Sequence, residues 1–125
     1  MARILVIDDE QDIRFLIEKF LVRDGHEVDL AENGKQAMKL IEVNNYDLLI
    51  TDVVMPEKDG IEVLNELQEH ATRIKTIVIS GGGARGKIEN YLVMAKLLGA
   101  DWVLPKPLDF SKLQIAVNDI LKVKL

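Results

Sequence analysis

Five short apolar runs alternate along this chain with segments of helical period, and that alternation constrains the fold more than any other feature. The runs are Ile4 to Ile7, Val28 to Leu30, Leu48 to Thr51, Thr76 to Ser80 and Trp102 to Leu104. Each is bounded by turn-forming or charged residues and has the length of a buried strand. Between them Ile13, Leu16, Ile17, Phe20 and Leu21 recur at i, i+3, i+4, i+7 and i+8, and Ile61, Leu64 and Leu67 follow three-residue steps. Three more stripes come from Ala37, Leu40 and Ile41, from Tyr91, Met94, Ala95 and Leu98, and from Leu113, Val117, Ile120 and Leu121. Each stripe is one buried helix face. Strand and helix repeated five times, with near-continuous Val/Ile/Leu strands, predict an α/β domain, a doubly wound (βα)5 three-layer sandwich around a parallel five-stranded sheet. The punctuation agrees: Asp24-Gly25 follows the first helix, Asn33-Gly34 precedes the second, Asp59-Gly60 precedes the third, Gly99-Ala100 follows the fourth, and Asp109 caps the fifth. The second strand carries charge and is expected at the edge.

At 125 residues the chain suits one domain, and 48% hydrophobic with 30% charged residues describes a packed globular protein. A net charge of -5 argues against direct binding to nucleic acid or to an anionic membrane surface. With no Cys, thiolate metal sites and cysteine nucleophiles are excluded. The apolar run after Arg3 ends at three acids, too early for a signal peptide, and no stretch reaches membrane-spanning length. The expectation is a soluble cytoplasmic protein.

In such a sheet ligands bind beyond the carboxyl ends of the strands. The first strand ends in Asp8-Asp9-Glu10, the third in Asp52, the fourth in Ser80-Gly81 and the fifth in Pro105-Lys106-Pro107. Carboxylates so close need a cation, and a hard divalent ion held by carboxylates, a carbonyl and water is the Mg²⁺ pattern. Asp8, Asp9 and Asp52 are the candidate ligands. Lys106 offers a point charge and Ser80 a donor to phosphoryl oxygens. With the metal, these groups match the three equatorial oxygens of a transferring phosphoryl group. No Cys, His or Ser-His pair sits at these strand ends, so Asp52 is the natural acceptor, forming an aspartyl phosphate.

With these residues in view, the whole chain resembles the receiver domain of bacterial response regulators in two-component signalling. The motifs are Asp8-Asp9, Asp52 within Leu48-Leu49-Ile50-Thr51-Asp52-Val53-Val54-Met55-Pro56, Asp59-Gly60, Ser80 followed by a small residue, and Lys106-Pro107. The resemblance implies a flavodoxin-like strand order 2-1-3-4-5 and a phospho-acceptor rather than a turnover enzyme. It implies Mg²⁺ bound directly by Asp9, through water by Asp8, and by the Val54 backbone carbonyl. It also implies a cis Lys106-Pro107 bond and a histidine kinase or histidine phosphotransfer protein as donor. Output would pass through the face of the fourth helix, fifth strand and fifth helix, where Lys87, Tyr91 and Trp102 are candidate contacts for a downstream protein. Residues 1–125 are expected to be one receiver domain without an effector domain.

Three departures matter. The family usually has Tyr or Phe three residues before the lysine, where this chain has Val103; Trp102, one residue earlier, should point to the opposite face and serve packing. The loop Gly81-Gly82-Gly83-Ala84-Arg85-Gly86-Lys87 fits a phosphate-binding G-x-x-x-x-G-K, but residue 88 is Ile where a metal-binding Ser or Thr is required. A flexible loop whose backbone N–H groups face the phosphoryl group, Gly81 among them, explains it more simply. Finally, Val54 and Gly82 stand where the family tunes hydrolysis, and neither brings a polar group, which predicts slow autodephosphorylation. His26 and His70 are read as solvated surface residues. The alternatives are a receiver-shaped binding module without phosphorylation and a small P-loop nucleotide-binding protein.

Overall fold

The computed structural model describes residues 2–52, 74–80 and 99–122, and of Ser80 the backbone only. Five strands pair in parallel in the order β2-β1-β3-β4-β5: β1 (Arg3–Ile7), β2 (Glu27–Ala31), β3 (Leu48–Asp52), β4 (Lys75–Ser80) and β5 (Trp102–Pro105). The described helices are α1 (Gln11–Arg23), α2 (Gly34–Val43) and, after β5, a helix here labelled α3 (Phe110–Leu121). The expected helices through Ile61 and through Tyr91, and the Asp59-Gly60 turn, lie outside the described residues.

Strand alternation divides the core in two. Ile4 and Val6, Leu48 and Ile50, Ile77 and Ile79, and Leu104 form one face, covered by Ile17 and Leu21 of α1 and by Leu113, Ala116 and Val117 of α3. Leu5, Ile7, Ala31 and Leu49 form the other, covered by Ala37 and Met38 of α2 and by Tyr46. Leu48, Leu49 and Ile50 are fully buried because β3 lies in the middle of the sheet with cover on both sides. Each such side chain contributes about 1.5–3 kcal/mol by leaving water. Truncating Ile50 to Ala would cost about 2–5 kcal/mol, because the site cannot collapse around the cavity. Tilted rings of Phe20 and Phe110, 5.2 Å apart, tie α1 to α3.

Helix boundaries follow the local chemistry read from the sequence. Asn33 caps α2 by accepting from the Gln36 N–H, and Asp109 caps α3 by accepting from the N–H groups of Ser111 and Lys112. Gly25 ends the turn after α1 with φ +93°, a conformation that side-chain-bearing residues rarely adopt. β2 lies at the sheet edge, as its charge indicated. His26 departs from the sequence reading: it is half-buried, and its Nδ1 accepts a 3.1 Å hydrogen bond from the Ala2 N–H. It is a tie across the amino edge of the sheet instead of a solvated residue. Among the described residues no helix is long and apolar enough to cross a membrane.

Candidate functional site

The apolar rows on the α1/α3 face end in polar residues. Asp8 continues the Ile4–Val6 row, Asp52 the Leu48–Ile50 row and Lys106 the Trp102–Leu104 row. Because the parallel register aligns Val6 with Ile50, the two carboxylates emerge side by side where β1 and β3 run out. Oxygens of Asp8, Asp9 and Asp52 lie within 4.8 Å of one another. Asp8 is 1% and Asp52 5% exposed, while Asp9 faces solvent. The Lys106 Nζ donates to Asp52 Oδ2 at 2.7 Å. The Lys106–Pro107 peptide is cis. Ser80 is the last residue of β4 and stands in register with Pro105, which brings its backbone to the strand end beside Lys106.

The electrostatics depend on burial more than the sequence implied. Asp8's carboxyl is pushed up to about 6, first by loss of hydration; the Glu10 N–H hydrogen bond opposes this, the Asp52 charge adds to it, Lys106 opposes it, and Asp9 adds a little. Like-charge repulsion from Asp52 and Asp9 adds to the rise but is smaller than the effect of burial. For Lys106, burial works against the charged form, but the hydrogen bond and charge of Asp52, with Asp8 and Glu10, outweigh it and raise its pKa.

Asp8 is held at all but one of its polar atoms. Its N–H donates to the Ala31 carbonyl at 3.2 Å. Its Oδ1 accepts from the Glu10 N–H at 2.8 Å, and its carbonyl accepts from Arg14 Nη1 at 2.6 Å. Oδ2 is buried and, among the described residues, has no hydrogen-bond partner. An orphaned carboxylate oxygen in an all-oxygen cluster fits a hard divalent cation, which would supply the missing partner.

Of the other expected positions, Val54, Gly81, Gly82, Lys87 and Tyr91 lie outside the described residues, as does His70. Trp102 is half-buried against the α1/α3-side core, and Val103 pairs with Val78. One contributor to the site, Arg14, and one tie away from it, at Tyr46, were not read from the sequence. Arg14 is a charged residue only 7% exposed in the row Arg14, Ile17, Leu21 of α1; its helical spacing to that stripe was the available signal. Tyr46 donates its hydroxyl to Asp29 Oδ2 at 2.7 Å, beside the Arg3–Asp29 ion pair.

Residues 4–118 match the family model for the response regulator receiver domain. The chain belongs to that family. It is 37% identical over 123 residues to the transcriptional regulatory protein CpxR of Klebsiella pneumoniae, covering 98% of this chain and 50% of that protein. It is 32% identical over 119 residues to the transcriptional regulatory protein SrrA of Staphylococcus aureus, covering 95% and 47%. The chain thus spans about half the length of the curated relatives it matches. Among solved structures, a Francisella response regulator receiver domain superposes with a TM-score of 0.87 at 34% identity, covering 98% of each chain. A two-component response regulator from Clostridium difficile does so with a TM-score of 0.87 at 26% identity, covering 98% of each. As a receiver domain, the chain is a signalling module of two-component systems with a CheY-like fold of strand order 2-1-3-4-5.

Proposed function

We propose that this receiver accepts a phosphoryl group on Asp52 from a phosphohistidine of a histidine kinase or histidine phosphotransfer protein, with Mg²⁺ in the acidic pocket. One observation carries the reading: the buried Asp52 carboxylate, paired with an ammonium at 2.7 Å, sits beside two further carboxylates, one with a buried oxygen that has no hydrogen-bond partner among the described residues. In the transfer a carboxylate oxygen of Asp52 bonds to phosphorus as the phosphorus–nitrogen bond of the donor breaks, and the imidazole leaves with the electron pair and takes a proton. Lys106 passes from the carboxylate to a phosphoryl oxygen, so the same ammonium holds the pocket together before and after transfer. Asp8, Asp9 and Asp52 would hold the ion together with the Val54 carbonyl. Bound there, Mg²⁺ supplies charge to the equatorial oxygens. Ser80 and the N–H of Gly81 would take remaining phosphoryl oxygens.

The output surface of this reading is the face of the fourth helix, β5 and α3, with Lys87, Tyr91 and Trp102 as candidate contacts for a downstream protein. Val103 cannot act as an aromatic switch, so the change would start from Ser80 and Lys106. The reading places the protein in the cytoplasm and gives it no direct nucleic-acid contact. The test is incubation with acetyl phosphate and Mg²⁺, or with beryllofluoride, followed by intact mass or amide exchange against Asp52→Asn. A Mg²⁺-dependent phosphoryl adduct that Asp52→Asn abolishes is the expected result. No adduct would favour a receiver-shaped binding module, and ATP binding would favour the glycine-rich loop as a nucleotide site.

A further inference from the structure

A buried charge needs a reason, and Arg14 has little that an ordinary ion pair would give it. It is 7% exposed within the apolar row of α1. Among the described residues its acidic contact is Glu32 Oε1 at 3.9 Å, on a side chain that is 64% exposed, a distance and a setting in which ion pairs contribute little. Its short contact is instead to a backbone atom, the Asp8 carbonyl, which accepts from Nη1 at 2.6 Å. That carbonyl belongs to the peptide joining Asp8 to Asp9, so holding it fixes the plane from which both carboxylates project. The Asp8 N–H and Oδ1 are already committed to Ala31 and Glu10, and the guanidinium removes the remaining backbone freedom. An apolar side chain in this row would avoid the desolvation that Arg14 incurs.

We propose that Arg14 is a positioning residue of the acidic pocket: by holding the Asp8 carbonyl it sets the Asp8–Asp9 peptide in the orientation that presents both carboxylates to a divalent cation. This rests on the metal reading above. Charge and geometry act in opposite directions here, which makes the role testable. A cation beside the pocket repels Mg²⁺, so a residue acting by charge alone would tighten metal binding when neutralised. A residue acting by position weakens it, and supports behind metal ligands typically matter by about 10- to 100-fold in affinity.

The experiment is calorimetric titration of the full chain with Mg²⁺, without any phosphodonor, for wild type, Arg14→Met and Arg14→Lys. It is paired with amide exchange of Asp8 and Glu10 in EDTA. Arg14→Met is expected to bind Mg²⁺ about tenfold more weakly or worse. Its Asp8 and Glu10 amides should exchange faster while Ile50 stays protected. Arg14→Lys, which keeps a donor, should recover most of the affinity. Unchanged or tighter binding in Arg14→Met, or unchanged exchange at Asp8 and Glu10, overturns the positioning role, as does failure of Lys to rescue. If Arg14→Met does not fold, Arg14→Gln takes both measurements with the same expected direction. If wild type binds no Mg²⁺, the metal reading falls, and the exchange measurement in EDTA still decides whether Arg14 holds the Asp8–Asp9 peptide.

Discussion

Replacing Asp8 with Asn should stabilise the metal-free protein, although it removes a side chain of the candidate site. The buried carboxyl is pushed from 3.8 up to about 6, chiefly by lost hydration, so its charged form is carried at a penalty near neutral pH. Each pKa unit corresponds to about 1.4 kcal/mol, which sets a ceiling of about 3 kcal/mol. Asp9 opens the pocket to water, and screening reduces the usable figure to on the order of 1–2 kcal/mol. Asn keeps the Oδ1 acceptor for the Glu10 N–H and puts an amide donor where Oδ2 was orphaned, next to Asp9 and Asp52.

The sign follows from proton counting. Between about pH 4 and about pH 6 the folded protein holds the Asp8 proton more tightly than the unfolded chain, so wild-type stability falls as pH rises through that window. The gain from Asn is therefore full above about pH 6 and vanishes below about pH 4. Urea unfolding in EDTA, followed by circular dichroism, measures it; the midpoint should rise at unchanged slope. Added Mg²⁺ should reverse the order: at a hundred times its dissociation constant a ligand stabilises by about 2.7 kcal/mol, and the variant should gain less of this. An Asn variant less stable than wild type in EDTA near neutral pH, or equally stabilised near pH 4 and near pH 7, would refute the reasoning.

Lys106→Met leaves the nearly buried Asp52 carboxylate without its 2.7 Å ammonium and should cost about 1–3 kcal/mol near neutral pH. Adding Asp52→Asn should recover most of that, so a double-mutant cycle that proves additive would argue against the pair. His26 is pushed down by burial and by the positive amino terminus, with Asp24 opposing. The unfolded chain thus binds its proton more readily, and this tie's stability is full above about pH 6.5 and declines as pH falls. The urea midpoint of His26→Ala should approach that of wild type on acidification, and a gap that stays constant would count against it. Phospho-Asp52 should persist for many minutes, because Val54 and Gly82 bring no polar group to guide water; decay within seconds, read by intact mass, would contradict this.

The fold was legible because burial on both faces of a parallel sheet forces a pattern that side-chain type alone reports. All five apolar runs are strands, each extended by a residue or so; Asp109 is the cap its chemistry indicated, and Asn33, read as the turn before the second helix, caps it. Asp8, Asp9, Asp52 and Lys106 could be grouped from sequence because strand ends on one edge of such a sheet must converge. Tyr46 was not legible: its ring joins the α2-side core while its hydroxyl bonds Asp29 on the neighbouring edge strand. A polar end on an apolar residue carries no mark of the partner it meets 17 residues away in sequence.

Arg14 and Asp8 separate what each level decided. The sequence alone indicated that acids and a lysine meet at the carboxyl edge of the sheet, where Ser80 ends a neighbouring strand, since hydrophobic period and turn chemistry are local. It could not assign charges or say which atoms were already bonded. Only the tertiary structure decided that burial more than repulsion raises Asp8 toward neutral pH, and that a buried guanidinium holds the Asp8 carbonyl. Hydration and hydrogen-bond partners depend on what surrounds an atom in space, and spacing along the chain does not encode that.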